Sequence, residues 1–410
     1  MGKKLLVAQS GGPTSAINAT LAGVIEAAIR NPEVSDVLGA RYGIQGVLRE
    51  QFLDLSGIEH IEDMLATLAV TPAAALGSCR FKLKDPTQAP SEFEELIRIF
   101  QKHEIGYFVY IGGNDSMDTV WKLSDYIKKH NIPDIVVVGA PKTIDNDLYG
   151  IDHCPGFGSA AKYIATSISE LERELEVYDT PYVIVVEMMG RNAGWLTAAA
   201  ALAERANSNV PYLIYLEERP FDLNDFISDL RGELAVGKDV IVAISEGIRD
   251  RSGKMICDYA DRDQSTDAFG HTIATGAGKV LENAIRSNIG CKVRYIELNL
   301  LQRCAGHLLS ETDITESTEL GRNAVRLAVD GQNGVMSTLT RTSNHPYSVA
   351  YGAADIADIA DREKKVPDSW ITSEGNGVTE EMLEYLRPLV QGERSCKFEN
   401  GIPKYVVFDK

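Results

Sequence analysis

The chain has 410 residues, 44% of them apolar and 24% charged. That is ordinary globular usage, which excludes a disordered chain and suffices for two or three domains with a large core. Against 59 Asp and Glu stand 41 Lys and Arg, a formal charge of −18, so no global field draws DNA, RNA or an anionic membrane, and an anionic substrate must meet a local basic cluster.

Lys4–Ala8 (KLLVA) predicts a first strand, and so short an apolar run is not a signal segment. After Ser10-Gly11-Gly12-Pro13, apolar residues at Ile17, Leu21, Val24, Ile25, Ala28 and Ile29 follow helical spacing, with Pro13 suited to the first helical turn. The same unit recurs. Tyr107–Ile111 leads into Gly112-Gly113-Asn114-Asp115-Ser116 and a helix with Met117, Val120, Leu123 and Ile127 inward. Asp134–Ala140 leads into PKTIDND (141–147), Tyr182–Met188 into MGRNAG (189–194) and an Ala-rich helix, and Asp239–Ile244 into Ser245-Glu246-Gly247. These Val/Ile-rich, non-alternating runs read as parallel strands buried on both faces and covered by helices. In such sheets ligands bind beyond the carboxyl ends of the strands. Residues 340–410, with polar turns and shorter apolar runs, read as a peripheral elaboration with one helix near Glu380–Leu389.

No apolar run approaches the ~18–20 residues of a membrane helix. The six cysteines (Cys79, Cys154, Cys257, Cys291, Cys304, Cys396) lie far apart without a C-x-x-C pair and read as free thiols in a reducing compartment. The expected protein is cytoplasmic, with no nucleic-acid and no membrane partner.

Chemistry concentrates at the strand ends. Gly11-Gly12, between a strand and a helix, lets backbone N–H groups approach an anion beside a helix N-terminus. Gly112-Gly113 makes a second close-approach loop, whose Asp115 can hold Mg²⁺ or shape a pocket and can at the same time cap the next helix, since a cap can face a site. Asp145 and Asp147 point the same way if their loop is extended, so one can act as base while the other helps organise Mg²⁺. Lys142 upstream can neutralise charge on a transferred phosphoryl group. Arg191, Arg294 and Arg303, the last beside Gln302, supply guanidinium forks suited to a sugar phosphate. Gly156-Phe157-Gly158-Ser159-Ala160-Ala161 fits a relaxed dinucleotide pattern with no strand before it, and Gly276-Ala277-Gly278-Lys279 lacks the leading Gly of a P-loop. His271 and His307 read as packed or surface histidines.

In this order, SGG (10–12), GSCRFK (77–82), GGNDS (112–116), PKTIDND (141–147), MGR (189–191), SEG (245–247) and LQR (301–303) resemble the phosphofructokinase family, from Lys3 to about Leu327. The tail is similar to that of the longer bacterial pyrophosphate-dependent members. The resemblance implies an α/β fold of two Rossmann-like three-layer α/β/α domains with mostly parallel sheets and a C-terminal elaboration. The expected division is a donor domain over 1–145, a sugar-phosphate domain over 146–300 and a returning segment with the elaboration over 301–410. It implies Mg²⁺ and a homodimer or homotetramer.

Adenosine triphosphate users in this family typically have GGDGS and a Gly before TIDND; here Asp115 and Lys142 stand at those glycine positions. The resemblance thus implies pyrophosphate as donor. An Asp carboxylate fills and charges the space of a nucleotide α-phosphate: at ~4 Å two unit charges repel by roughly 4 kcal/mol at an effective dielectric near 20. By the same resemblance Asp145 is the base, with Lys142 and Asp115 completing the catalytic set. Gly11, Gly12, Ser78, Arg80, Gly113 and Ser116 hold diphosphate. Thr143, Ile144, Asp145, Met189, Gly190, Arg191, Glu246, Arg294, Leu300, Leu301, Gln302 and Arg303 hold fructose 6-phosphate. Asn114, at the usual metal-linked Asp position, and Asp147 hold Mg²⁺. Leu300 and Tyr182 depart from the residues many members carry near the sugar phosphate. The implied activity is reversible phosphorylation of fructose 6-phosphate at its 1-hydroxyl. The alternatives are an ATP-dependent 6-phosphofructokinase, a pyrophosphate-dependent kinase of a related sugar phosphate such as sedoheptulose 7-phosphate, a nicotinamide oxidoreductase using Gly156–Ala161, and a non-catalytic sugar-phosphate binder.

Overall fold

The computed structural model describes residues 2–57, 61–204, 210–237, 239–259, 276–359 and 362–408; His271 lies outside them. Two sheets organise the chain. The first is built from β1 (Lys3–Gln9), β2 (Val34–Ala40), β3 (Phe52–Asp54), β4 (Ile105–Gly112) and β5 (Val136–Pro141). The second is built from β6 (Tyr182–Met188), β7 (Tyr212–Tyr215), β8 (Asp239–Ser245) and β9 (Lys292–Glu297), in the order β7-β8-β6-β9, all parallel. After the two-residue β10 (Leu309–Ser310) the chain returns to the first sheet with β11 (Val335–Asn344) and β12 (Tyr347–Asp355). That sheet then reads β12-β11-β5-β4-β1-β2-β3. Its interior pairs are parallel, and β2–β3 and β11–β12 are antiparallel pairs at its edges.

The uniform apolar runs have a simple cause: both faces are covered. In β1 and β4, Leu5, Val7, Tyr107, Val109 and Ile111 face α1 (Ile17–Ile29), while Leu6, Ala8, Phe108 and Tyr110 face the opposite layer. That layer includes α2 (Gly43–Leu48), and the first layer includes α3 (Ile61–Ala69). With α4 (Pro90–Lys102) and α5 (Asn114–Lys129) on the second face, the middles of β1 and β4 carry apolar and aromatic side chains, and the buried polar Gln9 comes only at the end of β1. In the second sheet, Ile184, Val186 and Met188 of β6 face α6 (Phe157–Leu175) and the Ala-rich turns from α7 (Trp195–Ala198) to Ala203. Val183 and Val185 face α8 (Leu223–Val236) and α9 (Ala277–Asn288). After α10 (Leu301–Cys304), α11 (Glu311–Val329) crosses α1 at two glycines: a Cβ on Gly23 would lie 2.0 Å from Thr318 O, and one on Gly321 2.1 Å from Thr20 O. Backbone contact this close is what glycine permits.

The tail is less peripheral than its sequence suggests. Its polar TSNHP stretch is the turn of the β11–β12 hairpin at the edge of the first sheet. Val366, Ile371, Met382, Tyr385 and Leu389 fill the core beside α6, with α12 at Glu380–Leu386. No helix among the described residues is long and apolar enough to cross a membrane. The carboxyl ends of β1, β4 and β5 from one sheet and of β6 and β8 from the other open on a common cleft.

Candidate active site

The cleft holds a cavity of about 390 Å³. One wall begins where β1 ends. Gly11 turns left-handed (φ 77°), its N–H donates to Cys79 O at 3.2 Å, and Ser78 Oγ donates to Gly11 O at 2.6 Å. The loop is therefore tied at both peptide groups. A side chain on Gly11 would press on Lys142 Nζ at 3.3 Å, and one on Gly12 on the Arg303 guanidinium at 3.1 Å. Pro13 is not in a helical turn: α1 starts only at Ile17, because Thr14 Oγ1 accepts the N–H groups of Ala16 and Ile17 and makes a separate turn first. Ser10 and Ser116 exchange a 2.8 Å hydrogen bond that ties this loop to α5.

Lys142 is 3% exposed, and its Nζ donates to Gly12 O at 2.6 Å. Burial pulls the ammonium down to about 8, with the Asp145 charge opposing. Among the described residues no carboxylate lies within 4 Å of Lys142, Arg191 or Arg303, and Arg191 Nε is buried without a partner. Basic groups gathered without counter-ions in so acidic a chain mark a site for an outside anion.

The loop after Lys142 is a turn, not the extended segment expected. Asn146 is left-handed (φ 55°), and Asp145 N–H donates to Thr143 Oγ1 at 3.1 Å. Both aspartates still reach the cavity wall. Burial raises the Asp145 carboxyl against the pull of Lys142, Arg191 and Arg303, and burial with the Asp145 charge raises Asp147 to about 7. Asn114 Nδ2 donates to Asp147 Oδ2 at 2.9 Å, while Asp147 Oδ1 is buried with no partner. Asp115 does not cap its helix: Gly113 holds that position, and Asp115 stands within the first turn, lining the cavity and 3.5 Å from Lys82 Nζ. Half-exposed and paired, its carboxylate repels less than a lone charge would, so its bulk carries more of any exclusion than Coulomb repulsion does.

The opposite wall comes from the second sheet. Met189 and Arg191 follow β6 and Glu246 follows β8. Glu246 is raised to about 8, chiefly by burial and then by Asp145, and accepts from Gly190 N at 3.4 Å. Gln302 is buried behind this wall, accepting from Met189 N at 3.3 Å.

Of the expected residues, Gly11, Gly12, Arg80, Gly113, Asn114, Asp115, Ser116, Lys142, Thr143, Ile144, Asp145, Asp147, Met189, Arg191, Glu246 and Arg303 line one cavity. Six do not. Ser78, Gly190 and Gln302 stand behind it as supports, through the bonds just given. Leu300 and Leu301 are 52% and 60% exposed at the start of the short α10, and Arg294 lies exposed on β9. The wall also includes Thr14, Phe81 and Asn192, which no motif flagged. Asn192 had a signal, as the residue directly after MGR; Phe81 sat inside GSCRFK unassigned.

The two weaker glycine motifs are already filled. Gly156 N and Ser159 N at the start of α6 both donate to the buried Asp313 carboxylate at 2.9 Å. Gly276 N and Gly278 N at the start of α9 donate to Glu187 at 2.9 and 2.8 Å. A dinucleotide phosphate would have to displace an internal carboxylate. His307 is exposed beside the Tyr163 ring.

Parallel strands ending on a cleft that joins unpaired cations, a glycine loop and paired buried carboxylates define a phosphoryl-transferring α/β enzyme. The chain belongs to the phosphofructokinase family, which it matches over residues 4–328. It is 43% identical over 407 residues to the pyrophosphate--fructose 6-phosphate 1-phosphotransferase of Xanthomonas campestris pv. campestris, covering 98% of this chain and 95% of that one. It is 41% identical over 402 residues to the enzyme of the same name from Halomonas elongata, covering 97% and 94%. The crystal structure of a pyrophosphate-dependent phosphofructokinase from Nitrosospira multiformis superposes with a TM-score of 0.87 at 37% identity, covering 98% of this chain and 96% of that one.

Proposed function

We propose that this chain transfers a phosphoryl group from pyrophosphate to the 1-hydroxyl of fructose 6-phosphate, reversibly, giving fructose 1,6-bisphosphate and phosphate. The observation that carries the reading is the buried Lys142 ammonium, unpaired with any carboxylate among the described residues, set between the Gly11-Gly12 loop and Asp145 in one cavity. A compact charge there suits the phosphate that leaves, and the enclosed loop suits a diphosphate.

In this reading the Gly11-Gly12 backbone, Arg80 and Ser116 hold the donor, and Met189, Arg191, Glu246 and Arg303 orient the sugar phosphate. Asp145 takes the proton of the 1-hydroxyl. The oxygen forms its bond to the near phosphorus as the bond to the leaving phosphate breaks in line, and Lys142 receives the charge that develops on that phosphate. A loose transition state makes positioning and electrostatics the main contributions. Burial and the Asp145 charge favour the neutral form of Asp147, while Lys142, Arg191 and Arg303 pull Asp145 toward the carboxylate that a base requires.

The residues fit Mg²⁺. Asp147 offers one unpartnered buried oxygen beside Asn114, and no group of three or more His, Cys, Asp or Glu forms a cage among the described residues. One carboxylate with an amide, the rest of the shell left to diphosphate and water, is how Mg²⁺ is usually held. Bound there, the ion would neutralise donor charge and orient the diphosphate. Arg294 is exposed on β9 and does not line this cavity, and the phosphate contact expected of it would come from a second copy in a homo-oligomer.

A donor panel of pyrophosphate, ATP, ADP and polyphosphate, each with fructose 6-phosphate or sedoheptulose 7-phosphate, tests the reading. Turnover with pyrophosphate and fructose 6-phosphate, in both directions, is expected. Brisk turnover with ATP and none with pyrophosphate would overturn it.

A further inference from the structure

Asn146 separates the two aspartates and is left-handed, a conformation that costs a non-glycine residue energy unless its surroundings hold it. Both polar atoms of its side chain are engaged. Oδ1 accepts from Cys154 N at 2.9 Å and from Lys364 Nζ at 3.2 Å, and Nδ2 donates to the Tyr385 hydroxyl at 2.8 Å. Lys364 and Tyr385 lie more than 200 residues away, in the tail.

Lys364 does more than reach one amide. Its Nζ also donates to Asp152 O at 2.7 Å and Ile151 O at 3.3 Å, and its own N–H donates to Asp147 O at 2.7 Å. Glu363 pairs with Leu148 in an antiparallel bridge, and its carboxylate accepts from the cavity residue Asn192 at 2.8 Å. The strap is itself anchored, since Lys364 O accepts from Trp195 Nε1 at 2.9 Å and Val366 N donates to Glu218 at 3.0 Å. Among the described residues no carboxylate lies within 4 Å of the Lys364 ammonium. A buried ammonium spent on backbone carbonyls and an amide oxygen fixes a backbone shape rather than neutralising a charge. The Tyr385 hydroxyl, besides accepting from Asn146, donates to Asp152 O at 2.8 Å, and its ring packs at a tilt against both Trp195 and Trp370. Both tail residues thus grip the two ends of the segment 146–152.

We infer that Lys364 and Tyr385 are positioning residues for phosphoryl transfer: together they hold Asn146 in its left-handed turn and so aim Asp145 and Asp147 into the cavity. The inference rests on the roles proposed above for the two aspartates. It gives the tail a task in the reaction, although no described tail residue lines the cavity.

The test uses the full chain with Lys364→Met, Tyr385→Phe, Asn146→Gly and the Lys364→Met/Asn146→Gly double variant. Misplacing a reacting group by about 1 Å costs on the order of a hundredfold, so kcat with pyrophosphate and fructose 6-phosphate should fall about tenfold to a hundredfold in Lys364→Met. In Tyr385→Phe, which keeps the ring and its contacts with Trp195 and Trp370, it should fall at least about threefold. KM for both substrates should stay within about threefold. Because the lock acts through Asn146, the double variant should be no slower than the worse single variant by more than about threefold. Hydrogen exchange of the 143–153 amides should quicken in both tail variants while the β1 and β6 amides hold. Wild-type kcat in Tyr385→Phe, a KM rise with kcat intact, or fully multiplicative losses in the double variant would each overturn the inference. If Lys364→Met does not fold, Tyr385→Phe and Asn146→Gly decide alone. Should the wild type turn over neither substrate pair, the functional reading fails, and quickened 143–153 exchange still decides whether the tail holds this loop.

Discussion

Lys142→Met should make the unliganded protein more stable and the enzyme far slower. Methionine keeps the length of the side chain and removes only the ammonium. That ammonium, ordinarily at 10.5, is drawn to about 8 by burial, a difference equivalent to roughly 3 kcal/mol at about 1.4 kcal/mol per tenfold. Loss of its hydrogen bond to Gly12 O returns about 1 kcal/mol, leaving a net gain of roughly 2 kcal/mol near neutral pH. The sign follows from linkage. The folded state holds the Lys142 proton less tightly than the unfolded chain, so the penalty in the wild type is complete below about 8 and is relieved as pH rises from there toward 10.5. The Tm advantage of the variant should therefore shrink between about pH 8 and pH 10. Turnover moves the other way: removing one preorganised donor costs about 10²–10³ in kcat. Ligand-free thermal unfolding and a coupled assay with pyrophosphate measure the two effects on the same preparation. A lowered Tm with near-wild-type kcat would refute the reasoning, because Lys142 would then be a structural tie and not a strained receptor for phosphate.

Three more expectations follow from the same cleft. Asp145→Asn should lower kcat by at least about a thousandfold with pyrophosphate binding, measured by calorimetry, within a few fold of wild type; wild-type-like turnover removes Asp145 from the base role. Asp115→Gly, alone and with Lys142→Gly, should admit ATP as a donor while the double variant loses pyrophosphate turnover, and unchanged donor preference would dismiss exclusion at this wall. Glu246→Gln should raise the ligand-free Tm progressively from about pH 5 to about pH 8. Over that window folded Glu246, raised to about 8, keeps a proton the unfolded chain has released, so the wild type loses stability as pH rises; a Tm difference flat across it would count against a buried, proton-holding carboxyl.

The strands buried on both sides were legible because burial leaves no alternation to misread; β6 occupies the very residues its apolar run predicts, Tyr182–Met188. Sixteen expected site residues meet in one cavity because most of them follow strand ends, where a parallel sheet gathers loops from distant parts of the chain; Arg80 comes instead from the loop before α4 and Arg303 from α10. What stayed hidden depends on partners far away in sequence. Pro13 looked like a helix start because the Thr14 side chain, which makes its own turn, leaves no periodic trace. The 145–147 loop looked extended because nothing local announces that Asn146 turns left-handed, a shape supported by residues 364 and 385. Arg294 and Leu300 were expected at the sugar phosphate, yet β9 and α10 leave them at the surface. The β11–β12 hairpin read as periphery because a strand pair at a sheet edge is only half covered and so carries a polar face.

Asp313 and Glu187 cast the cleft in another light. Each is a carboxylate of the chain's own, seated on backbone amides at the head of a helix, where a phosphate could otherwise settle. The fold therefore plugs two of its own decoy berths with permanent tenants. A phosphorylated metabolite drifting over this acidic molecule finds those berths taken, and the welcome that remains lies where the chemistry happens.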